Sequence, residues 1–409
     1  MARRESAAAG PGSRALVVDL IRSAGPISRV ELVKATGLTQ PTISNIVRRL
    51  IDDDVVRETG ATVATGGKPR TMLVINSRSA YGVGIRVGAD TLTCVVTDTR
   101  GGTIGRELVS APPAEKPEDV VAQLAALYRD VTHGLGLLPQ SVVGLAVVGP
   151  GPVDVARGRF LALPGLEQWA DLDLGQTLTA ELGVPVLVDC DAAAAAVGEF
   201  WGRQVSRERT FGCLYMNSGI GSGVVLDGAL HRGASSNAGE IGHVSVVRDG
   251  ARCRCGNRGC LELYAAPAAL VSRARATPGL ADRLGIRPDD QYARAFDVLA
   301  RAAIYGDGQA RALIDESALL LADGAMTLSN LWDLDTLVLA GPGFAVAGSL
   351  YVTEIRRRLA GRAFSRGLHT VQVDLSSNPR DSAAIGGAAL VLQGSVAPGH
   401  GPQVSAPQS

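Results

Sequence analysis

The stretch Gly239–Glu262, GEIGHVSVVRDGARCRCGNRGCLE, places three of the six cysteines of the chain within eight residues. Cys253, Cys255 and Cys260 are soft thiol ligands, and His243 lies ten residues before the first of them. Three cysteines and one histidine form a standard tetrahedral ligand set for structural zinc. The spacing therefore predicts a structural Zn2+ site. Buried reduced cysteines or a disulfide are the alternatives.

A disulfide is the weaker alternative because a bridge across Cys-x-Cys is strained and a reducing compartment disfavours it. Three arginines lie among the cysteines, at Arg252, Arg254 and Arg258. We expect their positive charge to offset the thiolates and to lower the pKa values of the cysteines. Cys94 and Cys213 lie in apolar runs and are expected in the core.

Composition indicates a globular protein of two or three domains. The chain has 409 residues, of which 46% are hydrophobic and 20% are charged, and this balance excludes a disordered chain. No run approaches the roughly 18 apolar residues of a membrane span. The first residues, MARRESAAAGPGSRA, lack the apolar stretch of a secretory signal. We expect a cytoplasmic protein without membrane association.

The net charge of zero conceals an asymmetry along the chain. Residues 1–76 contain 11 Lys/Arg and 7 Asp/Glu, a net charge of +4, so the other residues carry −4. A basic head on an acidic body indicates that only the head meets a polyanion.

Residues 1–76 follow the pattern of a winged helix-turn-helix. Ser28 and Glu31 form a capping box, Gly37 ends that helix, and Thr39 caps the next helix. That next helix buries one apolar face and presents polar groups suited to the major groove. Two strands follow, with a basic tip suited to the minor groove. The predicted DNA-binding residues are Gln40, Pro41, Thr42, Ser44, Asn45, Arg48 and Arg49 on the helix and Lys68 and Arg70 at the tip. A three-helix protein-interaction module is the alternative.

From Tyr81 onward, glycine-rich apolar strands alternate with amphipathic helices, which predicts an α/β body. Length and layout allow two lobes with a cleft between them. The residues after about Val396 are rich in Pro, Gly, Ser and Gln, which favours a disordered tail.

The order of these pieces resembles the ROK family of repressors, open reading frames and sugar kinases, over about residues 14–393. AGEIGHVSV and CRCGNRGCLE match the family signature almost residue for residue. The resemblance implies an actin-like (sugar kinase-type) two-lobed domain behind a winged helix-turn-helix, as in the repressors of the family. It also implies a double-stranded DNA operator and a homodimer or homotetramer. We expect a winged helix-turn-helix over 1–76, a first ROK lobe over 77–190 completed by about 386–395, a second lobe with the zinc loop over 191–385, and a disordered tail over 396–409.

The resemblance also assigns ligands. In the family, the positions of His243 and the three cysteines bind zinc, and positions matching Asp191, Glu240, His243 and Glu262 contact a sugar. Paired carboxylates suit vicinal hydroxyls because each oxygen accepts a hydrogen bond. His243 can hold the metal through one ring nitrogen and face the sugar with the other.

The chain departs from the kinases of the family at two places. Cys190, Ala193 and Ala162 stand where family members have asparagines. The Asp-x-Gly-Gly-Thr turn that handles ATP phosphates and magnesium reads Arg86-Val87-Gly88-Ala89-Asp90 here. Arg86 removes a metal-binding carboxylate and Asp90 adds negative charge near the phosphates, so we expect no kinase activity.

Our hypothesis is a sugar-responsive regulator, a repressor of carbohydrate genes, with a sugar or sugar derivative as effector. The alternatives are a ligand-independent regulator with a vestigial sugar pocket and an active sugar kinase.

Overall fold

A computed structural model describes residues 11–63, 70–88, 91–110, 116–161, 169 and 172–396. Lys68, Asp90 and Ala162 lie outside the described residues, as do residues 397–409 of the expected tail. Val396, which we expected in that tail, is the last residue of a helix.

The amino-terminal head combines three helices with a three-stranded antiparallel sheet of order β1-β3-β2. Its elements are α1 (Pro11–Ala24), β1 (Ile27–Ser28), α2 (Arg29–Thr36), α3 (Gln40–Asp52), β2 (Val56–Val63) and β3 (Arg70–Ile75). The capping box is present: Glu31 N donates to Ser28 Oγ at 3.4 Å, and Ser28 N donates to Glu31 Oε2 at 2.8 Å. Gly37 ends α2 in the left-handed region with φ 69°. The predicted winged helix-turn-helix is confirmed.

The first sheet of the body has five strands in the order β10-β7-β4-β5-β6. Its elements are β4 (Tyr81–Val87), β5 (Thr91–Asp98), β6 (Thr103–Ser110), α4 (Pro117–Gly134), β7 (Val142–Gly149), α5 (Leu174–Leu182) and β10 (Val186–Cys190), with a short hairpin numbered β8 (Val153–Asp154) and β9 (Arg159–Phe160). β4, β5 and β6 form an antiparallel meander, and β7 and β10 add in parallel beside β4.

The second sheet repeats this topology in the order β13-β12-β11-β14-β15. The remaining elements are α6 (Asp191–Gly202), β11 (Phe211–Met216), β12 (Ile220–Leu226), β13 (Ala229–Leu230), α7 (Glu262–Ala265), α8 (Pro267–Ala276), α9 (Leu280–Leu284), α10 (Tyr292–Ile304), α11 (Gly308–Trp332), β14 (Thr336–Ala340), α12 (Gly348–Arg362), β15 (Gln372–Leu375) and α13 (Ser382–Val396). The cysteine-rich loop lies between β13 and α7. A meander followed by two parallel strands, used twice, is the expected actin-like α/β body.

None of the helices within the described residues is long and apolar enough to cross a lipid bilayer.

Helices α6 and α13 lie between the two sheets, and their backbones pack very closely against each other. α13 contacts β4 and β7 of the first sheet, and α6 contacts β11 and β12 of the second. A Cβ atom added at Gly198 would lie 2.7 Å from the Cα of Gly386, and one added at Gly386 would lie 1.8 Å from the carbonyl oxygen of Ala194. The two glycines therefore set the spacing of the helices that join the lobes.

Arg22 of α1 contacts the carboxyl-terminal end of α6 and so joins the head to the body. Its guanidinium lies 4.7 Å from the ring centroid of Trp201 and 5.1 Å from that of Phe200. Nη1 donates to the carbonyl oxygen of Trp201 at 3.2 Å, and Nη2 donates to that of Val205 at 3.0 Å. Only 3% of Arg22 is exposed. A cation on the last carbonyls of a helix is stabilised by the helix dipole and by cation–π attraction.

We predict that Gly198→Ala lowers the free energy of unfolding by about 1–3 kcal/mol, because overpacking forces closely packed backbone apart. Thermal denaturation checks this. Gly202→Ala on the same helix is the matched control, since an added Cβ there meets nothing within 4 Å. Equal melting temperatures for the two variants would contradict the packing argument.

Candidate functional site

His243, Cys253, Cys255 and Cys260 form one cluster that can hold a metal ion. One ligand atom from each residue lies within 4.8 Å of the other three. Cys253 Sγ is 3.5 Å from His243 Nδ1, and Cys255 Sγ is 3.7 Å from Cys260 Sγ. A disulfide needs about 2.05 Å between sulfurs, and all six cysteines are free. The structure therefore brings together the four residues that the spacing singled out.

The loop backbone explains this convergence. Gly259 has φ 70°, and a Cβ atom there would lie 1.8 Å from the carbonyl oxygen of Val247. Cys253 N donates to the carbonyl oxygen of Asn257 at 2.8 Å. This hydrogen bond closes a tight turn that contains Cys255. Ser245 pairs with Cys260 in an isolated antiparallel bridge. Only glycine fits at position 259, and the bridge places Cys260 close to His243.

The expected effect of the arginines on the thiols is wrong for two of the three cysteines. Burial raises the pKa of Cys253, and burial together with neighbouring thiols raises the pKa of Cys260 to about 12. The pKa of Cys255 is lowered, chiefly by a hydrogen bond from the backbone of Asn257. Arg252, Arg254 and Arg258 are exposed, so water screens their charge.

Asp191, Glu240, His243 and Glu262 line one cavity of about 60 Å3, which we call the acidic cavity. Its other lining residues are Pro150, Gly151, Cys190, Ala192, Tyr215, Asn217, Ser218, Gly219, Ile220, Gly221 and Arg254. The four predicted ligand-binding residues are thus brought together, and Cys190 lies among them.

His243 connects the cluster of possible metal ligands to the acidic cavity. Its Nδ1 faces Cys253, while its Nε2 lies 3.9 Å from Glu240 Oε2. Glu262 lies on the cluster side as well, with Oε1 3.5 Å from both His243 Nδ1 and Cys253 Sγ. A metal held by the cluster would therefore fix the angle of the imidazole toward the cavity.

The pKa values of two carboxyl groups in the acidic cavity are raised. Burial raises the pKa of Asp191 to about 6, although the positive charge of Arg86 acts in the opposite direction. Burial is also the main cause of a raised pKa at Glu240, where His243 opposes it. Desolvation on this scale is typical of ligand-binding or functional sites.

The predicted ligand-binding residues do not include several polar residues of the cavity wall. Tyr215, Asn217 and Ser218 line it, and the buried hydroxyl of Tyr215 has no hydrogen-bond partner within the described residues. Arg254 lines the cavity with its Nε 3.9 Å from Glu262 Oε1. Asn217 and Ser218 begin the glycine-rich turn NSGIGSG between β11 and β12, whose sequence resembles the second phosphate turn of the family. Tyr215 lies in an apolar strand and offered no comparable signal.

Helix α3 has the two faces that its sequence predicts. Ile43, Ile46, Val47 and Leu50 are buried. The opposite face consists of Gln40, Pro41, Ser44, Asn45, Arg48 and Arg49, all exposed, with Thr42 half-buried. Arg48 Nη2 donates to Asn45 Oδ1 at 2.8 Å, and Arg70 begins β3 of the wing. The polar groups are thus available at the surface of one helix.

Two family models match the chain. The winged helix-turn-helix DNA-binding model matches residues 16–57, and the ROK family model matches residues 82–394.

Curated relatives match along most of the chain. The xylose repressor of Bacillus subtilis (strain 168) is 27% identical over 383 residues, covering 92% of this chain and 94% of its own length. The transcriptional dual regulator NagC of Escherichia coli (strain K12) is 27% identical over 330 residues, covering 80% of this chain and 79% of its own.

Solved structures support the same family assignment. A ROK family transcriptional regulator, described as a homologue of the E. coli MLC protein, superposes with a TM-score of 0.73 at 25% identity and covers 95% of this chain and 97% of its own. A ROK family glucokinase from Streptomyces griseus, solved with glucose and AMPPNP, has a TM-score of 0.65 at 28% identity and covers 77% of this chain and 100% of its own. The chain therefore belongs to the ROK family and carries a winged helix-turn-helix ahead of its ROK domain.

Proposed function

We propose that this protein is a sugar-responsive transcriptional repressor that binds a palindromic operator as a homodimer or homotetramer. The observation that carries the proposal is the position of α6. The first residue of α6, Asp191, lines the acidic cavity, and its last turn is held by Arg22 of the head.

The relatives support the sugar-responsive half of this proposal. Proteins that match over more than nine-tenths of the chain are xylose repressors, and NagC-type relatives are described as N-acetylglucosamine repressors. In this chain, Asp191, Glu240, His243 and Glu262 supply the carboxylate oxygens and imidazole nitrogen that a polyhydroxylated ring needs. A DNA-bound regulator of this kind works in the cytoplasm.

The route from effector to operator runs along α6. A sugar that contacts Asp191 and the lobes on either side of it favours one closure of the cleft. Because α6 packs tightly on α13, it moves as a rigid body, and Arg22 carries that movement to α1. In a dimer, this changes the spacing of the two α3 helices, which must match half-sites about 34 Å apart or a multiple of this distance.

We assign the metal of the cysteine cluster as structural zinc. Zinc bonds of about 2.3 Å to sulfur and about 2.0 Å to nitrogen imply tetrahedral edges of about 3.8 Å between sulfurs and about 3.5 Å between sulfur and nitrogen. Of the six distances among the four ligand atoms, one between sulfurs is 3.7 Å and one between sulfur and nitrogen is 3.5 Å, and all six are within 4.8 Å. Four protein ligands leave no open position for catalysis, so the role of the ion is to orient His243 and to close the loop.

We do not expect phosphoryl transfer. That reaction depends on metal and phosphate positioning, and Arg86 supplies a guanidinium where a carboxylate is needed for the metal. The vestigial-pocket alternative is weakened by the four polar residues that still converge on one cavity.

The central prediction concerns Arg22. We expect an effector sugar to weaken operator binding of the wild-type protein by about 5- to 150-fold, the usual range of allosteric coupling. Arg22→Met keeps most of the buried volume but cannot donate to the carbonyl oxygens of α6. It should bind the sugar with unchanged affinity and respond to it several-fold less. Gel-shift titration across a panel of sugars, with calorimetry of the sugar, measures both.

Arg14→Met, on the same helix, is the matched control for Arg22→Met. Arg14 forms a surface ion pair with Asp53 at 2.9 Å, which contributes little to stability, so the sugar response should persist. Wild-type operator binding that ignores every sugar that binds the protein would sink the proposed function. A full response in Arg22→Met would sink the route through α6.

The zinc assignment predicts one zinc per chain in purified protein. Cys260→Ser should remove it and lower the melting temperature, because metal binding free energy is coupled to folding. Mass spectrometry of metal content and thermal denaturation check this. Cys94→Ala removes a buried thiol outside the cluster and should keep the zinc. Metal-free wild-type protein that melts at the same temperature as the zinc-loaded form would contradict the assignment.

The assignment of α3 as the reading helix predicts that Asn45→Ala lowers affinity for a selected operator by about 5- to 150-fold, the effect of losing a good bidentate base contact. Affinity for a scrambled duplex should change little, because phosphate contacts dominate it. Fluorescence anisotropy at one fixed salt concentration measures both. Arg78→Ala, exposed beyond the wing, is the control. Equal losses on both duplexes would contradict base reading by Asn45.

A further inference from the structure

Tyr215 is a buried tyrosine whose hydroxyl has no hydrogen-bond partner among the described residues. It lies in β11 and is only 2% exposed, yet it lines the acidic cavity. The buried Tyr351 shows the usual arrangement, since its hydroxyl lies 2.9 Å from Ser317 Oγ. Buried polar groups are almost always hydrogen-bonded, so the unpartnered hydroxyl of Tyr215 requires an explanation.

The neighbours of Tyr215 in the sheet supply no partner for its hydroxyl. Tyr215 is paired with Gly221 of β12 on one side and with Ala340 of β14 on the other, and neither residue has a polar side chain. The ring belongs to an apolar cluster that includes Cys213 and the alanines of α6, among them Ala192. Gly221 and Ala192 also line the acidic cavity. Apolar neighbours therefore hold the ring at the border of the cavity, and the hydroxyl is the polar group that it brings there.

The hydroxyl of Tyr215 is a neutral group among charged ones. Burial raises the pKa of Tyr215 well above its usual range, and the charge of Asp191 acts in the same direction, whereas Arg86 opposes it. The phenol is therefore protonated near pH 7 and can donate one hydrogen bond and accept another. Such a group suits a neutral oxygen of a ligand.

We infer that Tyr215 is a further effector-binding residue, whose hydroxyl forms a hydrogen bond with one hydroxyl of the sugar. This inference rests on the proposed function, because it adds a contact to the proposed effector site. Glu240, His243 and Glu262 reach that site from the cysteine-rich loop, whereas Tyr215 reaches it from the second sheet, near Asp191. A site built to hydrogen-bond a hydroxyl discriminates strongly against a ligand that lacks it, so Tyr215 sets a preference for one sugar hydroxyl.

The variant Tyr215→Phe tests the inference, because it keeps the ring and removes only the hydroxyl. Calorimetry on the full chain with D-xylose, D-glucose, D-mannose and N-acetylglucosamine identifies the sugars that bind the wild type. We expect Tyr215→Phe to bind such a sugar about 3- to 10-fold more weakly, the effect of losing one neutral hydrogen bond. The melting temperature of the ligand-free variant should stay the same or rise, because no described protein group loses a partner.

Tyr351→Phe is the matched control. It also removes one buried phenolic hydroxyl, but this hydroxyl is hydrogen-bonded to Ser317 within the protein. Its sugar affinity should equal that of the wild type, and its melting temperature should fall. The contrast separates a ligand contact from a structural role, which would lower the melting temperature and leave the sugar affinity unchanged.

Deoxy analogues of the bound sugar, each lacking one hydroxyl, identify the group that Tyr215 contacts. For one analogue, the loss of affinity relative to the parent sugar should be several-fold smaller in Tyr215→Phe than in the wild type. This coupling is expected only if the missing hydroxyl and the phenol bind each other.

Equal sugar affinities of Tyr215→Phe and the wild type would overturn the inference, as would deoxy losses that are the same in both proteins. If a sugar releases the operator but binds Tyr215→Phe as tightly as the wild type, the regulator proposal stands and this inference falls. If Tyr215→Phe loses affinity for a sugar that leaves the operator complex intact, the inference stands and the regulator proposal falls. If none of the sugars binds the wild type, both fall.

Discussion

The close contact of α6 with α13 is the constraint on which the rest of the structure depends. Gly198 and Gly386 leave no room for a methyl group between the helices, so the backbone of α6 packs directly against that of α13. Its amino end lies in the cleft at Asp191, and its carboxyl end receives Arg22 from the head. In the function we propose, a helix with one end at the ligand site and the other at the head lets a small change at that site alter the position of the reading helix α3.

The cysteine-rich loop contributes to the same cleft from the other side. His243 is shared between the cysteine cluster and the acidic cavity, and Glu262 begins α7 two residues after the last cysteine ligand. Orientation of an imidazole by a metal on one nitrogen leaves the other free to recognise a ligand. The zinc that we propose for this arrangement would be structural, yet its loss would alter the shape of the proposed effector site.

Features set by neighbouring residues could be predicted from the sequence. The capping box at Ser28, the left-handed Gly37 and the polar face of α3 depend on local spacing, and the cysteine cluster follows from ligand chemistry. The contacts of Arg22 and the effect of Arg86 on Asp191 could not be predicted, because they join residues far apart in sequence. The expected lowering of the cysteine pKa values was wrong at Cys253 and Cys260 because burial outweighs exposed arginines.

Hydrogen–deuterium exchange on the intact chain, with and without the sugar or sugar derivative that binds it, tests the central claim most directly. If α6 carries the signal, protection should change together in α6 and in residues 14–24 of α1. A change confined to the cleft, under conditions in which the ligand still releases DNA, would contradict a signal that passes through α6 and Arg22.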